Sequence, residues 1–91
     1  MPVYLRTAGY KIYFWSNEKQ EPIHFHIAKS DPTENDAKVW VLSNGSFLVA
    51  QKQNKISEKD LSKIFSIMQS FYLDYISFWQ SYFPGQVKFY K

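Results

Sequence analysis

The sequence contains no cysteine, only three glycines, and no uninterrupted apolar run long enough to span a bilayer. Without cysteine there is no disulfide framework, no thiolate metal site and no thiol nucleophile, which suits a reducing compartment. Without a long apolar run there is no membrane-spanning helix, so no membrane partner is expected. The opening Met1-Pro2-Val3-Tyr4-Leu5-Arg6 lacks the charged and then apolar regions of a secretory signal, and the expectation is a cytoplasmic protein. A concentrated block of positive charge is missing too. Residues 1 to 30 carry four basic and two acidic side chains, 31 to 50 carry one and three, and 51 to 91 carry six and three. The formal charge of +3 is therefore split between the two ends, whereas a nucleic-acid binder usually gathers its cations on one face.

Aromatic side chains are abundant. The 91 residues include 3 Trp, 7 Tyr and 8 Phe, and the length fits one domain, 1–91. Rings on this scale fill a core or make contact surfaces.

The pattern predicts an α+β fold: about five strands in a mostly antiparallel sheet, with one long C-terminal helix packed on one face. Residues 3–6 and 10–15 are rich in β-favouring residues and flank the tight connection Thr7-Ala8-Gly9. Residues 24–28, 37–42 and 47–50 supply three more strands, the last two joined through Asn44-Gly45, a short-range hairpin signal. From Ser57 the period becomes helical. Ser57 is a good N-cap with Asp60 three residues on, and Ile56 can staple onto Leu61. Leu61, Ile64, Phe65, Met68, Phe71, Tyr72, Tyr75, Ile76, Trp79, Tyr82 and Phe83 form one broad stripe that ends at Pro84-Gly85. One helix covers one face of a sheet and leaves the other open. By period-two alternation the open face collects some of Tyr13, Trp15, His24, His26, Lys38 and Trp40, the number depending on the register between strands. Residues 86–91 form a mixed tail that is a candidate for one more strand.

The candidate site lies where the polar turn Ser16 to Pro22 runs into the only two histidines. On a strand, His24 and His26 share one face while Phe25 and Ile27 anchor the other, and Pro22 biases the approach of Asn17, Glu18 and Glu21. The contact residues expected from this geometry are Tyr13, Trp15, Asn17, Glu18, Glu21, His24, His26, Lys38 and Trp40. Two chemical readings compete with a contact role. His24 and His26 are candidate ligands of a divalent metal, although such sites need a third protein ligand, for which Glu18, Glu21 and Asp36 are available. Alternatively His24, His26, Lys38 and Glu18 are candidates for acid, base and charge stabilisation in a small RNase-like hydrolase. Trp15, Trp40 and Tyr13 are able to stack on RNA bases, and Lys52, Lys55, Lys59 and Lys63 to follow a phosphate backbone. Rings are equally favoured at subunit interfaces, and Ile67, Leu73 and Phe78, off the main helical stripe, point to a second contact such as a dimer mate. No complete catalytic set is present, so the preferred reading is a binding module with no required cofactor. On that reading, replacing both histidines by alanine leaves folding largely intact and removes partner, metal or RNA binding.

Three boxes carry a family resemblance: Gly9-Tyr10-Lys11-Ile12-Tyr13-Phe14-Trp15-Ser16-Asn17-Glu18, Glu21-Pro22-Ile23-His24-Phe25-His26-Ile27, and Ala37-Lys38-Val39-Trp40. Together they resemble the prokaryotic family called domain of unknown function 4160 over roughly residues 1 to 83, with 84–91 as an extra tail. Ile23 stands where a second proline is usual in that family, and Lys55-Ile56 replaces a Gly-aromatic pair before the helix. The resemblance implies no established activity. It does imply a genetic neighbour from a second small family, and hence one half of a two-gene, toxin-antitoxin-like module. The expected partners are thus a second copy of the chain or a small protein encoded nearby, with RNA as a further candidate.

Overall fold

The computed structural model describes residues 2–16, 21–29, 31–32, 36–51 and 56–91. Five strands, β1 (Val3–Thr7), β2 (Tyr10–Tyr13), β3 (His24–Ala28), β4 (Ala37–Val41) and β5 (Phe47–Gln51), precede two helices, α1 (Glu58–Ser70) and α2 (Tyr72–Tyr82). The strands pair antiparallel in the order β1-β2-β3-β4-β5, each beside its neighbour in the chain. Residues 8–9 and 42–46 are short hairpin loops of two and five residues, which join only adjacent antiparallel strands, and the two longer connections keep the same neighbour order.

Two turns show how the local sequence sets the register. Ala8 and Gly9, with φ of 53° and 81°, occupy successive left-handed positions, the twist-matched geometry of a two-residue hairpin loop. At the second, the Asn44-Gly45 signal is realised differently. The Leu42 N–H donates to the Ser46 carbonyl, and only Gly45 (φ 89°) is left-handed, so this is a longer loop with glycine at its αL position.

The sheet's helix-facing side supplies Ile12, Phe25, Ile27, Val39 and Val41, all essentially inaccessible, and Leu61, Ile64, Met68, Tyr75 and Trp79 close over them from the helices. Tyrosine hydroxyls tie the layers together: Tyr4 donates to Asp74, Tyr10 to Asp60 at 2.7 Å, Tyr72 to the Leu42 carbonyl at 2.6 Å, and Tyr75 to the His24 carbonyl. The hydrogen bond to Asp60, then burial, raises the Tyr10 phenol above its ordinary range, and burial does the same for Tyr72.

The expected single helix is two. At Phe71 the backbone leaves helical geometry (φ −109°, ψ 22°) and its N–H bonds to the Met68 carbonyl at 3.1 Å, a tightened last turn. Ser70 Oγ donates back to the Ser66 carbonyl at 3.3 Å, a contact that bends helices. Neither proline nor glycine marks this break. The apolar stripe nevertheless stays in phase, Met68 to Tyr75 spanning seven residues and Tyr75 to Trp79 four, so both helices lie on one sheet face. The start is as the sequence predicts: Ser57 caps α1, its Oγ accepting from the Asp60 N–H at 3.1 Å, with Ile56 and Leu61 both in the core. Ser57→Ala is expected to cost about 1 kcal/mol and to lower the melting temperature by about 4 to 8 °C; an unchanged midpoint in a thermal melt followed by circular dichroism would show the cap to be idle.

Residues 86–91 are not a strand. The tail runs across the end of the sheet where β3 begins and β4 finishes. There the Ile23 N–H donates to the Lys88 carbonyl at 2.8 Å and the Ser43 N–H to the Lys91 carbonyl at 3.0 Å. Val87 and Phe89 pack against the core, while Tyr90 turns the other way.

Candidate functional site

On the sheet face away from the helices, register assembles two rows. Tyr13, His26, Lys38 and Gln51 are consecutive cross-strand partners from β2 to β5, and His24, Trp40 and Leu48 form the next row. Period-two alternation predicts this grouping, and the structure brings Tyr13, His24, His26, Lys38 and Trp40 together with Trp15, whose ring meets Tyr13 edge-on at 5.5 Å. Glu21 joins them by pairing with Lys38 Nζ. Asn17 and Glu18 lie outside the described residues.

The face is not open, as a sheet covered on one side only would require. Every residue of β3 is buried, His24 to 0% exposure and His26 to 9%, and Tyr13 is equally inaccessible. Rings from β2, β4 and α2 contribute to the cover. β3 is the central strand, and large side chains from both neighbouring strands lean over its imidazoles. Tyr13 stacks on His26 at 5.3 Å, Trp40 meets His24 edge-on at 5.7 Å, and Trp79 reaches His24 from α2 at 5.3 Å. His24 Nδ1 lies 2.9 Å from the Pro22 carbonyl; because a carbonyl only accepts, Nδ1–H donates there. The polar rings are thus packed and bonded from within the fold, and the expectation that both can be removed without affecting folding does not suit His24.

Asp36, which the sequence offers only as a third metal ligand, and Tyr90, which the sequence does not single out, both belong to this region. Asp36, 3% exposed, accepts the Tyr13 hydroxyl at 2.5 Å, and its own carbonyl accepts from Gln51 Nε2 at 3.2 Å. It ends a stretch of turn composition and carries no signal of burial except the apolar Ala37 that follows. Tyr90 stacks flat on Trp40, centroids 5.0 Å apart and planes 3° apart. Its only sequence signal is the alternation Val87-Lys88-Phe89-Tyr90.

The accessible part of the site centres on Trp40, which is half-buried beneath Tyr90 and has Lys38 Nζ 4.5 Å from its ring centroid. A cation over an indole attracts its quadrupole, and the Glu21 carboxylate holds that cation in place. For a metal, the imidazoles of His24 and His26 are 5.0 Å apart and near-perpendicular. Among the described residues no group of three His, Cys, Asp or Glu side chains comes together that could hold an ion. Among them, too, no helix is long and apolar enough to cross a membrane.

The chain matches no curated protein and no solved structure. Residues 9–80 match the model of the family described as Domain of unknown function (DUF4160), a span that takes in all three boxes and stops short of the Tyr90 tail. Most of the chain falls within that match, and the protein belongs to this family.

Proposed function

We propose that the protein is a binding module whose His and aromatic sheet face docks an extended, aromatic-bearing segment of a partner protein at Trp40. The observation that carries this reading is that the chain's own residues 88–91 already sit there in that manner. Two backbone N–H groups, of Ile23 and Ser43, take carbonyls of the tail, and the Tyr90 ring lies flat on Trp40. Main-chain bonds with a ring in a shallow slot are how sheets commonly recognise extended peptides. Tyr90 is 50% exposed, so little surface holds it down against a competitor. The partner is a second copy of the chain, as the high aromatic content suggests, or a small protein encoded nearby, as the family resemblance suggests, and the buried histidines shape the floor beneath Trp40.

An RNase-like or metal-dependent hydrolase would need His24 and His26 at the reacting atoms. Complete burial of His24 leaves no surface for a substrate to meet, and this favours docking over catalysis.

The test uses the full-length protein carrying Tyr90→Ala and a synthetic peptide of residues 86–91. Saturable binding by calorimetry is expected, with tryptophan emission changing as the slot refills, and Trp40→Ala in the same background is expected to abolish it. Sedimentation over a range of concentrations then separates self-association from a foreign partner, which copurification from the native host would recover. Failure of the peptide to bind the Tyr90→Ala protein at millimolar concentration would sink the docking reading.

A further inference from the structure

At the opposite end of the sheet from the tail, where β1 turns into β2, the surface holds a cleft of about 340 Å³ lined by Arg6, Thr7, Ala8, Gly9, Tyr10, Lys11 and Lys29. We propose that this cleft binds a phosphate-bearing polyanion, either a free oligophosphate or the phosphodiester backbone of a single-stranded nucleic acid.

Charge placement is the first support. Arg6 and Lys11 are direct partners across β1 and β2 and stand on the same face, and like charges directly opposite one another destabilise a sheet. Lys11 in turn faces Ala28, which brings the next residue, Lys29, to the same corner. Three cations, from β1, β2 and the residue that follows β3, therefore converge on one concavity, and among the described residues lining it there is no carboxylate. Asp31 lies 3.9 Å from Lys11 Nζ with a fully exposed side chain, too loose and too wet to neutralise the group, and Asp60 is engaged by the Tyr10 hydroxyl. Lys11 itself keeps only 30% of its side-chain surface in water, so its charge is held against the protein rather than free to swing away.

The turn supplies the second support. Its residues are Ala8 and Gly9, both left-handed, and a side chain at Gly9 would meet nothing within 4 Å, so the mouth of the cleft is open space. Ala8 is the one described residue other than glycine with positive φ, a position that asparagine or glycine fills more comfortably. A methyl group there keeps the approach small and unbranched. Arginine offers a planar fork matched to phosphate oxygens, and the two lysines add point charges at its flanks.

The experiment measures the melting temperature of the full-length protein with pyrophosphate, and separately with a single-stranded homopolymer oligonucleotide, against Arg6→Gln, Lys29→Gln and, as a control of equal charge change on α1, Lys59→Gln. A ligand that binds only the folded state must raise the midpoint. Expected are a saturable rise for the wild type and the control, and affinity weakened about tenfold in Arg6→Gln, the scale of one lost charge-assisted hydrogen bond. Without ligand, Arg6→Gln is expected to melt no lower than the wild type, because it relieves the Arg6 and Lys11 repulsion; a purely structural arginine would give the reverse. A rise with pyrophosphate identifies a free oligophosphate site. A rise with the oligonucleotide alone, its log affinity falling with log salt at a slope of about −2 for three contacts, identifies a phosphodiester site. No rise with either ligand, or equal loss in Lys59→Gln, would overturn the proposal.

Discussion

Trp79→Ala is expected to cost about 3 to 5 kcal/mol, the range for truncating a large buried aromatic. Trp79 is 3% exposed and joins three parts of the molecule. Its ring lies 4.8 Å from Phe14, 4.5 Å from Phe83 and 5.3 Å from His24. No neighbour is free to collapse into the void, because Phe14 also touches Tyr75, Phe78 and Tyr82. For a domain whose total stability is of the order of 5 to 15 kcal/mol, the loss is large. It corresponds to a melting temperature lower by roughly 12 °C or more. Thermal unfolding followed by circular dichroism measures it directly, and a shift of only a degree or two would take Trp79 out of the core.

The second large effect falls on a residue that reads as functional in the sequence. His24→Ala removes a ring with no exposed surface, deletes the hydrogen bond to the Pro22 carbonyl, and withdraws support from Trp40 and Trp79 together. The expected loss is about 2 to 5 kcal/mol. His26→Ala, at the rim beside Tyr13 and Lys38, is expected to cost less. Because His24 and Trp79 are in contact, the double replacement with Trp79→Ala should cost less than the sum of the two singles. Equal melting temperatures for the two single histidine variants would contradict this division between a buried and a rim imidazole.

These two residues also show what the sequence makes legible. All five strands, the change of period at Ser57 and the shared face of Tyr13, His24, His26, Lys38 and Trp40 follow from local pattern, because alternation and capping are set within a few residues. The break at Phe71 is accompanied by a serine back-bond, which leaves no glycine or proline behind as a signal. The burial of His24 could not be read either, since it depends on rings arriving from β4 and α2, 16 and 55 residues along the chain. Alternation says which face a side chain takes, and says nothing of how far that face is covered. The structural role of Asp36 is illegible for a related reason: its partner Tyr13 is two strands away, so a residue in a turn-like run, offered by the sequence only as a metal ligand, becomes a buried acceptor.

The strand order has a kinetic consequence. Because every strand pairs with its neighbour in the chain, the sheet can be assembled entirely by closing short loops, and loop closure is cheap in entropy when the separation is small. Low mean separation between contacting residues favours rapid folding. The contacts that close the core are of another kind: Tyr10 to Asp60 and Tyr4 to Asp74 span 50 and 70 residues. The helices that make those contacts cover Ile12, Phe25, Val39 and Val41, so the landing of the helices on the meander is expected to be slower than the closing of its hairpins, an order that φ-values for Ile12 and Ile64 variants would measure.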